Sequence, residues 1–90
     1  MAYGLNQEQT VELTEQVLIS MVDSESIHLH TAEEIMERLN RGSKLIPVIG
    51  NMISTKKICN GVGGKIQASV RALAVQQRKV GVSKNSVLRS

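Results

Sequence analysis

Residues 31–53, TAEEIMERLN RGSKLIPVIG NMI, decide how this chain is to be read. Thr31 stands where a helix cap is expected: its hydroxyl can accept from a backbone N–H three residues on, and Glu34 occupies the capping-box position. Ile35, Met36 and Leu39 then supply one apolar face. Asn40-Arg41-Gly42-Ser43 is a break, and a second apolar run follows with Pro47 early in it, where a missing N–H costs a helix nothing. The stretch therefore predicts two short helices meeting at a turn, over 31–40 and 44–57. In the second, Ile46, Ile49, Met52 and Ile53 form the expected buried stripe, and Gly50 suggests close packing against a neighbour.

Working outward, NQEQTVELTEQVLISMV predicts a first helix over 6–22. Asn6 is its N-cap, and Val11, Leu13, Val17, Leu18, Met21 and Val22 are its apolar stripe. Asp23–Ser26 is a stop. Ile27 and Leu29 alternate with His28 and His30, the pattern of a very short strand. Downstream, Asn60-Gly61-Val62-Gly63-Gly64 is the strongest break in the composition. A fourth helix is expected over 65–79, with Ile66, Val70, Leu73 and Gln77 on one face, and residues 80–90 are expected to form a hairpin or a basic tail. The sequence shows no evident internal repeat.

Ninety residues, 41% of them hydrophobic, suffice for one small domain with a single core. Tyr3 is the only aromatic residue, so aliphatic side chains must do the packing. Cys59 is the only cysteine, which excludes an internal disulfide and suits a reducing compartment. No apolar run is long enough to cross a membrane, and MAYGLNQEQT lacks the basic and apolar regions of a secretory leader. A cytoplasmic or nucleoid-associated location is the expectation.

The net charge of +3 conceals a strong asymmetry. All eight acids (Glu8, Glu12, Glu15, Asp23, Glu25, Glu33, Glu34 and Glu37) lie in residues 1–40, beside the single base Arg38. Residues 41–90 hold every other base and no acid. Such a half must be neutralised by a polyanion, by the acidic half of the same molecule, or by a partner's acidic face. A phosphate backbone is the polyanion it suits best. Single-stranded nucleic acid is the poorer fit, because Tyr3 alone cannot build a stacking platform.

Helix, short strand, capped helix, turn and helix, carried by I-H-L-H-T-A-E-E-I-M-E-R-L and K-L-I-P-V-I-G-N-M-I, resemble the winged helix-turn-helix superfamily over roughly the first 60 residues. The resemblance implies a mainly α fold, a small winged-helix-like or helix-turn-helix bundle of three to four helices with at most a short β-hairpin. It also implies that the helix over 44–57 enters the major groove of double-stranded DNA. Its exposed Lys44, Asn51, Thr55, Lys56 and Lys57 would then meet bases or phosphates. The turn Asn40–Ser43 is longer than the tight version of that motif, and Pro47 with Gly50 is unusual in a reading helix.

A second register places Ile58, Cys59, Val62 and Gly63 at the turn, with one extra residue at Gly64, and makes 65–78 the reading helix. It brings in Lys65, Arg71 and Arg78, and in either register Lys79, Lys84 and Arg89 add phosphate contacts. The function expected is non-catalytic duplex binding, as a small transcriptional regulator or accessory factor, on a viral or plasmid scale of size. The first helix offers a face for a homodimer. The rival is a helical interaction module whose basic half docks an acidic partner or self-associates.

Other motifs carry less. GVGGK lacks the first Gly and the Ser/Thr of a phosphate-binding loop. His28, His30 and Cys59 do not match a zinc spacing, so no metal and no cofactor is expected. No acid, base and nucleophile form a constellation, so neither an enzyme nor a small-molecule substrate is indicated.

Overall fold

The computed structural model describes residues 6–88, and the side chains of 6–77. It is mainly helical: α1 (Gln7–Asp23), α2 (Leu29–Asn40), α3 (Leu45–Ser54) and α4 (Asn60–Leu88), with no strand among the described residues. The main packing runs in a ring, α1 against α2 and α4, and α3 against the same two.

α1 starts as expected. Asn6 Oδ1 accepts from Gln9 N at 2.8 Å while Gln9 Oε1 accepts from Asn6 N at 3.2 Å, a reciprocal cap. Gln7 Nε2 donates to the carbonyls of Leu39 and Ser43, which ties the start of α1 to the end of α2. Leu13, Val17, Leu18 and Met21 are buried, with Val11 and Val22 packed half-buried against them.

Three expectations about boundaries are corrected. Residues 27–30 form no strand: Ile27 is a buried turn residue, His28 is the N-cap of α2, and Leu29 and His30 lie in its first turn. Thr31 is accordingly inside α2 and does not cap it. The expected glycine break at 60–64 is the start of α4, which runs unbroken to Leu88, so the hairpin or tail expected over 80–90 is helix as far as that residue. α3 ends at Ser54, and Lys57 lies in the turn that follows.

What ends each helix is one device used three times. In every case a residue with positive φ follows the helix: Glu25 (61°), Gly42 (102°) and Lys56 (63°). The next N–H reaches five residues back: Ser26 to Met21 O at 2.7 Å, Ser43 to Arg38 O at 3.1 Å, Lys57 to Met52 O at 2.9 Å. These are Schellman caps, which satisfy the orphan carbonyls and reverse the chain.

The caps expose a repeat that the sequence concealed. Met21, Glu25, Ile27, His28, Ala32, Ile35 and Leu39 correspond, 31 positions on, to Met52, Lys56, Ile58, Cys59, Gly63, Ile66 and Val70. Within that set the apolar positions are buried in both copies. Val17 and Leu18 match buried Val48 and Ile49 in the same way. Exchanging α1 with α3 and α2 with α4 carries the main packing ring onto itself. The fold is two copies of one helical hairpin around an approximate two-fold axis.

Close packing falls at Gly63 and not, as expected, at Gly50. A Cβ at Gly63 would lie 2.6 Å from Ile53 Cδ1 and 2.9 Å from Ile49 Cγ2, so α3 and α4 cross closely there. A Cβ at Gly50 or Gly64 would meet nothing within 4 Å. Ile46, expected in the buried stripe, is 64% exposed, and Val48 takes its place in the core.

These surroundings give opposite signs to one substitution. Gly50→Ala and Gly64→Ala should each stabilise the fold by up to about 1 kcal/mol, the helix-propensity gain. Gly63→Ala should destabilise by about 1–2 kcal/mol, because overpacking against Ile49 and Ile53 exceeds that gain. Chemical denaturation of the three variants checks the pattern.

Candidate nucleic-acid interface

The residues expected to touch DNA divide into three groups. Lys44 is the exposed N-cap residue of α3, and Lys56 is exposed at that helix's other end. Lys65 is exposed in the second turn of α4. None of these three makes an ion pair among the described residues. Arg71 is exposed further along α4. Arg78, Lys79 and Lys84 belong to α4, but their side chains, like all of Arg89, lie outside the described residues.

A second group is held by the acidic half. Lys57 Nζ lies 2.6 Å from Glu34 Oε2, and Arg38 Nη2 lies 2.8 Å from the same oxygen. Arg38 also donates through Nη1 to Asn51 Oδ1. One guanidinium thus joins α2 to α3, and one carboxylate joins α2 to the turn after α3. Asn51 was expected to read adenine, yet its acceptor is committed to Arg38. Arg38 was outside the expected set; its i,i+4 spacing from Glu34 was visible, but its reach to Asn51 was not.

The third group is satisfied within its own helix end. Thr55 Oγ1 donates to Asn51 O at 2.9 Å, and Ser54 Oγ to the same carbonyl at 3.0 Å. The outer face of α3 consequently offers Ile46, Pro47 and Gly50 more than free polar groups. The other register fares differently: Gly63, where it needs a turn, is buried inside α4.

The repeat gives the charge asymmetry a geometric meaning. Equivalent positions carry opposite signs, Glu25 against Lys56 and Glu34 against Lys65, on the same backbone. The second hairpin is the first with its charge reversed. Neutralisation between the halves is confined, in the ion pairs seen, to Lys57–Glu34; Arg41–Glu37 is an exposed i,i+4 pair at 3.0 Å on the end of α2.

His28 and Cys59 occupy equivalent positions and line one cavity of about 580 Å³. Cys59 Sγ accepts from Val62 N at 3.4 Å and so caps α4. Among the described residues no three His, Cys, Asp or Glu side chains could hold a metal together. GVGGK is helix, not a phosphate loop. No described helix is long and apolar enough to cross a membrane. Comparison with known protein families, curated proteins and solved structures finds no match to this chain.

The hydrogen bond from Lys57, with Arg38 alongside, holds the Glu34 carboxyl below its ordinary value of 4.5. A carboxyl depressed in the folded state stabilises above that value, and the contribution disappears as pH falls through its folded pKa. Glu34→Gln should therefore lower the melting temperature near neutral pH. The gap from the parent chain should narrow as pH drops below 4.5, which thermal melts across a pH series will read.

Proposed function

We propose that the chain is a non-catalytic protein that holds double-stranded DNA by its phosphate backbone, through the basic second hairpin and the α4 that extends from it. The observation that carries this reading is the exposure of Lys44, Lys56 and Lys65 with no acid to meet them, although an acidic hairpin belongs to the same molecule. Cations left in solvent beside a folded acidic half are the groups from which a polyanion releases counterions most profitably. Arg71, Arg78, Lys79, Lys84 and Arg89 extend the same acid-free run.

The engagement is with backbone more than with base edges. The outer face of α3 lacks free bidentate donors, Asn51 being tied to Arg38, so a sequence code of the kind read in the major groove has little to be written with. Lys44 and Lys56 stand about 15 Å apart along a ten-residue helix, a span of two or three phosphates on one strand. A small regulator or accessory factor that packages, bends or marks duplex DNA fits this chemistry better than an operator-specific repressor.

Salt dependence of binding to random-sequence duplex supplies the test. The logarithm of affinity should fall linearly with that of salt, and Lys44→Ala, Lys56→Ala and Lys65→Ala together should reduce the slope by about 2–3. Absence of duplex binding at low salt, or equal binding by an acidic protein competitor, overturns the proposal.

A further inference from the structure

The two hairpins differ in how tightly their helices meet. In the second, Gly63 lets α4 close onto Ile49 and Ile53. In the first, Ala32 holds the equivalent place, and an apolar groove of about 730 Å³ is left between α1 and α2. Leu18, Val22, Ala32 and Met36 line its floor, and Ile19 and Leu29 stand beside them, each 56% exposed. Two such side chains in one groove are an unusual thing to leave in water. Four acids, Glu15, Asp23, Glu33 and Glu37, border it.

The occupant must therefore be apolar on one side, basic, and short enough for the groove. A second acidic groove would be repelled. This chain carries a suitable segment: Ala74 is the last buried residue of α4, Val75 is 48% exposed, and α4 continues to Leu88. From Val75 onward the sequence is VQQRKVGVSKNSVL, with three bases, no acid, and Val80, Val82, Val87 and Leu88 as apolar residues. That arm is about 21 Å long, and the 12-residue α2 that walls the groove is about 18 Å. The arm leaves the domain as an unbroken continuation of a helix already packed on α1 and α3, so it cannot turn back into its own groove.

We propose that residues 75–88 of α4 from one copy seat in the acidic α1–α2 groove of a second copy, and that reciprocal exchange of the two arms closes a dimer. Apolar residues of the arm cover Ile19 and Leu29, and its cations meet the acidic rim, a helix-in-groove association with electrostatic selection. The inference does not rest on DNA binding and is tested without DNA.

Sedimentation of the full chain should show a concentration-dependent dimer that weakens with added salt. Ile19→Lys, at an exposed position, should weaken dimerisation about tenfold or more while leaving the helical circular dichroism unchanged. Arg78→Glu with Lys79→Glu should weaken it as well, and adding Glu15→Lys and Glu33→Lys to that variant should restore it, an outcome misfolding cannot imitate. A chain that remains monomeric at every concentration overturns the proposal, as does a dimer indifferent to Ile19→Lys or unrescued by the charge exchange.

Discussion

Everything in this fold depends on helices that cannot stand alone being made to reverse. α2 and α3 have 12 and 10 residues, at or below the length at which an isolated helix is marginal in water. Each is stable only if the chain returns and covers its apolar face. The left-handed residue after α1, α2 and α3 supplies that return, at Glu25, Gly42 and Lys56. Two of the three are not glycine, at a conformation that costs an L-residue roughly 1–2 kcal/mol. The packing of Met21 and Ile27, and of Met52 and Ile58, holds those residues there.

The same constraint explains how the chain can carry two opposite fields on one scaffold. The repeat preserves the groups that reversal and packing need: a methionine three residues before the cap residue, an isoleucine after the turn, a small residue at the helix crossing. It leaves the outward positions unconstrained, and there the signs invert. One carboxylate reaches across: Glu34 receives Lys57 from the basic side and Arg38 from its own helix. With Lys57 thus engaged, the neighbouring Lys56 is turned outward by its positive φ, and the basic hairpin presents its lysines to solvent.

Much of this was legible in the amino-acid order, and the exceptions have physical causes. The cap at Asn6, the buried stripe of α1 and the break at Gly42 follow from local chemistry and stand as read. The alternation of Ile27-His28-Leu29-His30 imitated a strand because a buried turn residue happens to precede an exposed residue of a first helical turn. The glycines at 61, 63 and 64 imitated a break, whereas Gly63 is required by a helix crossing and the real break, at Lys56, contains no glycine. The repeat was invisible because its copies share apolar size while reversing charge. Lysine exposure could be inferred from the missing acids. The capture of Asn51 by Arg38 could not, since it depends on where α2 and α3 cross.

The two proposals meet in one segment. An arm seated in an acidic groove and an arm lying on a phosphate backbone use the same cations, Arg78, Lys79 and Lys84, and one set of charges cannot serve both at once. Lys44, Lys56 and Lys65 belong to the domain itself and are available in either arrangement. The acidic groove, on this argument, acts toward the arm as a weak substitute for duplex DNA: four carboxylates on two helices against a continuous row of phosphates. The higher charge density wins wherever duplex is present. Arm exchange then belongs to the chain without DNA, and the domain that engages a duplex does so with its arm released and its groove open.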